Sequence, residues 1–206
     1  MSEQGDLAAG DFSSWMIEMQ GALRGERESD VPCDGCTACC TSAQFVHIEP
    51  DETDTLAHIP AELLFPAPRL PSGHVLLGYD ERGHCPMLID NRCSIYEHRP
   101  RTCRTYDCRV FPAAGLVDGD TDESAHCDDD SGADGGASSI AQRARRWRFE
   151  FPSHADRAQH AAVRAAAEFL AENPDHPLGA AGATNATQLA VLAIEIHGDF
   201  LQPYGQ

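Results

Sequence analysis

Eight of the nine cysteines in this chain of 206 residues lie between Cys33 and Cys108. A stretch so dense in thiols is committed either to disulfide bridges or to metal ligation, and redox compartment decides between them. Residues Met1 to Gly10 are acidic and carry neither the basic nor the apolar region of a secretory signal, so a cytoplasmic protein with reduced thiols is expected. Neighbouring Cys39 and Cys40 diverge, and CxxC-type spacings are too tight for ordinary bridges. Metal ligation is the reading that follows.

The eight fall into two groups. The first is Cys33-x2-Cys36-x2-Cys39-Cys40, within VPCDGCTACCTS. Two intervening residues allow a tight turn to aim two sulfurs at one ion, with backbone amides left free to donate to the thiolates. Gly35 relaxes the first turn, and Thr37 and Ala38 leave room in the second. The second group, Cys85, Cys93, Cys103 and Cys108, lies in HCPMLIDNRCSIYEHRPRTCRTYDC. Each pair alone is a weak signal, and together they are a strong one.

These blocks resemble a bacterial cysteine-cluster family of zinc- or iron-chelating domains, often called YkgJ-like, whose pattern is CxxCxxCC followed by CPxL and CxIYxxRPxxCRxY. The matching residues are Cys33, Cys36, Cys39 and Cys40; Cys85-Pro86-Met87-Leu88; Cys93-Ser94-Ile95-Tyr96; Arg99-Pro100; and Cys103-Arg104-Thr105-Tyr106. The resemblance covers about residues 31 to 112 and implies metal binding with no established reaction. Cys108 falls where many members carry no cysteine, which makes it an additional or substitute ligand.

Zinc or iron are both consistent with such donors. Eight thiolates would fill two closed tetrahedral zinc sites. A [4Fe–4S] cluster also takes four thiolates; Cys33, Cys36 and Cys39 repeat the spacing of three ferredoxin ligands, and Cys85 is followed by Pro86 as in the ferredoxin Cys-Pro. Four thiolates around a divalent ion leave a net charge of −2 that needs compensation. From Arg82 to Arg109 six arginines face only Asp90, Glu97 and Asp107, a positive island in a chain of net charge −18. Arg99 and Arg104 are the candidates to hold thiolates ionised, against the plainer reading that the arginines form surface ion pairs.

The fold class expected is α+β: a small irregular cysteine domain with a short hairpin, stabilised by metal and flanked by packing helices. The expected organisation is an N-terminal helical segment (1–30), the cysteine-cluster domain (31–112), an acidic flexible loop (113–137) and a C-terminal helical scaffold (138–206). Trp15, Met19 and Leu23 share one face of a helix over 11–24, capped by Asp11 or Ser13 and ended by Gly25. A short helix follows Glu49-Pro50-Asp51-Glu52, and Pro60 to Pro71 is irregular. His74 to Tyr79 reads as a strand, Cys85 to Ile89 as a second returning through a turn at Asp90, and Pro100 starts a helix carrying Cys103. Ser138-Ser139 starts a basic helix through Arg148. Ser153 and Asp156 form a capping box for a helix to Glu172, and Thr184 or Asn185 caps a last one through Ile196.

Several functions are excluded or disfavoured. There is no lysine, hence no Schiff-base, P-loop or lysine-base chemistry. The acidic balance opposes nucleic acid and anionic membranes, and no run of about 18 apolar residues exists. The histidines include no HExxH pair; His84, beside Cys85, is the nearest substitute ligand, with His47 and His98 behind it. Between Asp118 and Asp134 eight acids stand with no arginine, and Cys127 there reads as a free thiol rather than a ligand. No catalytic residue is singled out. Two readings remain: a noncatalytic metal-binding module facing a protein partner, and a redox-active iron–sulfur protein in electron transfer, sensing or protein maturation.

Overall fold

A computed structural model describes residues 5–29, 31, 35–117, 139–174 and 185–201. Strand β1 (Leu7–Asp11) runs into helix α1 (Phe12–Leu23), and after the first cysteine group come β2 (Val46–Ile48), α2 (Thr53–Ala57), β3 (Leu64–Pro66), β4 (Val75–Leu77), β5 (Leu88–Ile89), β6 (Arg92–Cys93) and α3 (Arg101–Thr105). The rest is α4 (Val110–Ala113), α5 (Ser139–Ala144), β7 (Trp147–Glu150), α6 (His154–Glu172) and α7 (Ala186–Ile196). The class is α+β. Described residues of 1–24, 108–137 and 141–206 form one compact unit, and those of 25–107 and 138–140 a second. The acidic stretch with Cys127 lies outside the described residues, as does Cys33.

The helical unit forms where the capping signals stand. Asp11 accepts the Ser14 amide at the start of α1, and Gly25 ends the turn beyond it with a positive φ of 71°. Ser153 and Asp156 make the reciprocal capping box of α6, and Asn185 caps α7 through the Gln188 amide. Asp156 also accepts the Ser13 amide at 3.0 Å, so one carboxylate serves the first turns of two helices. Fourteen buried residues, among them Phe12, Trp15, Met16, Val163, Leu170 and Ile194, form its core.

One expectation is corrected here. The basic helix ends at Ala144, and Trp147 to Glu150 form a strand paired in parallel with β1, Leu7 opposite Trp147. Burial of the Trp147 indole and a nonlocal partner strand outweigh local helix preference. The Pro-rich stretch is likewise more ordered than expected, since Leu64–Pro66 pair with β4. Pro66 is tolerated because β3 is an edge of the antiparallel order β2-β4-β3.

The cysteine unit has a much smaller interior. Five buried residues, Ile48, Ile59, Leu77, Met87 and Ile95, make its core, and Cys85 and Cys93 pack against it. The β5–β6 hairpin turns through Asp90 and Asn91, whose φ values of 49° and 59° match a type I′ turn. Glu52 is buried and accepts the Arg101 amide, while Thr102 donates to the His47 carbonyl, so α3 is tied to α2 and β2 by polar contacts.

Candidate metal centre

Cys40 sits at the end of a single 3-10 turn, Ala38–Thr41, and its carbonyl accepts the Cys85 amide at 2.8 Å. That bond joins the first cysteine group to the second. The Cys85-Pro86-Met87-Leu88 segment is not the strand expected but a tight turn, closed by the Leu88 amide on the Cys85 carbonyl at 2.9 Å. In this turn the Met87 and Leu88 amides donate to the Cys85 sulfur. Amide donors stabilise a thiolate, and the same arrangement orients sulfur ligands in metal knuckles. Burial outweighs them in the thiol itself: it pushes Cys85 up, and the nearby Cys93 sulfur adds to the rise.

Cys93 is placed by the hairpin, where it stands opposite Leu88. Cys103 is carried by α3, whose first turn starts after Pro100. Crowding by protein atoms pushes the Cys103 thiol up to about 12; Cys40, Cys85 and Cys93 all add to the rise, and Arg99 opposes it. Cys103 also has an open side toward solvent, which screens that crowding. Cys40, Cys85, Cys93 and Cys103 thus come from four separate segments of the cysteine unit. Among the described residues, however, no three cysteine sulfurs lie within 4.8 Å of one another; the trio that meets this distance is Asp54, His58 and His98.

The remaining cysteines are placed differently. Cys36 is half-buried, with its sulfur 3.5 Å from the Ala38 amide, and Cys39 is exposed. Cys108 groups with the helical unit, where it is buried and its sulfur accepts the Trp147 indole N–H at 3.1 Å. Most of the arginine island is engaged by carboxylates. Arg101 reaches Glu49 and Asp51, Arg82 reaches Asp80, and Arg104 reaches Glu28. Arg99 reaches Glu28 at 3.7 Å, lies over the Tyr96 ring and is the cation that acts on Cys103. The surface-ion-pair reading therefore describes most of these arginines, with Arg99 the clearest candidate for charge compensation.

Sequence reasoning missed the Asp54, His58 and His98 trio. Asp54 and His58 stand four apart at a short helix, a spacing that puts both on one face, but His98 comes from a distant segment. Only the fold brings it there.

Residues 32–128 match the family model CxxCxxCC, described as "Putative zinc- or iron-chelating domain". Neither the curated proteins nor the solved structures provide a match. No described helix is long and apolar enough to cross a membrane.

Proposed function

Because this chain carries a domain of the CxxCxxCC family, we propose that Cys40, Cys85, Cys93 and Cys103 are the ligands of a closed four-thiolate centre whose main role is to hold its own unit folded. The observation that carries this reading is the Cys85 amide on the Cys40 carbonyl at 2.8 Å, which ties the first cysteine group to the second, with Cys85 and Cys93 packed on the same small core. The donor set suits zinc, which takes four thiolates tetrahedrally at about 2.3 Å and so needs sulfurs about 3.8 Å apart. The Met87 and Leu88 amides and the Arg99 guanidinium then offset part of the excess negative charge. A core of five buried residues supports a structural role, since a unit with so little apolar interior draws on coordination for stability.

Cys33, Cys36 and Cys39 form a second donor group with ferredoxin-like spacing, which favours iron–sulfur as the second reading and a redox role with it. Cys108, already engaged by Trp147, stays outside the four-thiolate set. Anaerobic purification followed by metal and acid-labile sulfide analysis tests the assignment. Colourless protein containing zinc supports the structural reading. Brown protein with iron and sulfide, bleached by dithionite, supports the redox one. Metal-free protein that takes up neither ion overturns both.

A further inference from the structure

A group of metal-ligating side chains free of thiols lies elsewhere in the cysteine unit. Asp54 and His58 stand at either end of α2, and His98 lies between β6 and α3. One ligand atom from each falls within 4.8 Å of the other two. His98 Nδ1 is 2.7 Å from Asp54 Oδ2, and His58 Nδ1 is 2.8 Å from the Asp54 carbonyl oxygen. The two imidazole rings stack with centroids 3.6 Å apart and planes within 5°.

This arrangement constrains the protons. The backbone carbonyl of Asp54 accepts only from a protonated Nδ1 of His58, which leaves His58 Nε2 unprotonated in the neutral ring. A hydrogen bond from one ring nitrogen to a carbonyl or carboxylate is the usual way a ligating histidine is oriented. Asp54 is ionised, since the His98 hydrogen bond holds its carboxyl below the usual carboxylate range. Arg104 is the other cation acting on Asp54, and it is also engaged by Glu28. All three residues keep substantial solvent exposure, so an ion has an open path.

We propose that Asp54, His58 and His98 form a thiol-free site for a divalent transition cation of the zinc class, with two imidazoles and one carboxylate as protein ligands. Three ligands leave a coordination position for water or an exchangeable group, unlike the closed four-thiolate set. Borderline imidazole donors favour zinc-class ions over calcium or magnesium, which take oxygen donors. An ion bound at His98 Nδ1 replaces the hydrogen bond to Asp54, and the neutral ring then carries its single proton on Nε2. The inference goes beyond the thiolate reading and does not depend on it.

The test is a Zn²⁺ titration of the full chain, followed by imidazole nitrogen resonances in long-range ¹H–¹⁵N spectra and by bound-metal analysis. The His58 and His98 rings should shift together with one bound equivalent, while the hydrogen-bonded His47 and His74 pair stays unmoved. His58→Ala and His98→Ala should each bind one Zn²⁺ fewer, or bind it roughly tenfold or more weakly. Asp54→Asn should weaken it in the same direction, and His74→Ala should leave it unchanged. His58→Ala decides the matter if His98→Ala fails to fold. Rings that do not shift, a shift of only one ring, or parental stoichiometry in folded His58→Ala would overturn the site. Co²⁺ separates this from the thiolate proposal: its strong thiolate charge-transfer absorption should survive in His58→Ala and vanish in Cys103→Ser. Loss of that absorption in the parent, with the imidazole shifts intact, would count against the thiolate reading alone.

Discussion

Burial first, and then Cys40, Cys85 and Cys93, push the Cys103 thiol up, which disfavours a lone thiolate there. In the proposed centre a divalent ion would offset two of the four thiolate charges, leaving the rest to donors such as Arg99. Cys103→Ser should therefore cut the metal content of the purified chain, by one ion per molecule if zinc fills the site. Cys108→Ser should leave metal content at the parental value, because the Trp147 indole already engages that sulfur in the other unit. Metal analysis of the two variants side by side checks both expectations, and equal loss in each would put Cys108 back among the ligands. Asp156 offers a second test at this scale. Hydrogen bonds from Ser13 and then from Ser153 hold its carboxyl well below the usual range, against the opposing effect of burial. A depressed carboxyl contributes stability that is full above the ordinary value of 3.8 and is lost as pH falls through the folded-state value. Asp156→Asn should lower the unfolding temperature at neutral pH and flatten its decline below about pH 4. Thermal melts followed by circular dichroism over that range would show it, and an unchanged acid limb would contradict it.

The β5–β6 hairpin fixes where Cys93 lies, and its turn needs two successive residues in the left-handed region. Asp and Asn are among the few side chains that accept this conformation readily. Asn91→Val puts a β-branched side chain there at a cost of about 1–2 kcal/mol. It should lower the unfolding temperature of the cysteine unit and slow its uptake of metal, with Asn91→Gly close to the parent. Ion uptake monitored with Co²⁺ absorption distinguishes the two, and identical behaviour would mean that the turn does not govern Cys93. The elements differ in how much of them the sequence reveals. Asp11, Ser153 and Asn185 announce α1, α6 and α7 because caps are local chemistry written next to the residues they serve. The β1–β7 pair is hidden because Leu7 and Trp147 meet across the chain and neither strand is long enough for alternation to be read. Strands of two or three residues, such as β3 and β5, are shorter than any periodicity.

At the scale of the molecule, the two units are built on different physics. Among the described residues one has a core cluster of fourteen buried side chains and is capped at each long helix; the other has a core cluster of five, with half-buried Cys85 and Cys93 against it. Metal removal by a strong chelator should therefore unfold the cysteine unit while the helical unit keeps its circular-dichroism signal and melts in a single transition of its own. The cysteine blocks that match the chelating-domain family were legible in the sequence because thiol spacing is local, as the blocks around Cys36 and Cys85 show. The grouping proposed for Cys40, Cys85, Cys93 and Cys103 was not, since it depends on the Cys40–Cys85 backbone bond, the hairpin register and the docking of α3. The most direct measurement is the metal content of the intact chain beside Cys40→Ser, Cys85→Ser, Cys93→Ser and Cys103→Ser, all isolated under the same anaerobic conditions. The account predicts a stoichiometric ion in the parent and loss of the same single ion in each of the four. Independent losses that add from one variant to the next, or no loss in any, would contradict a shared centre.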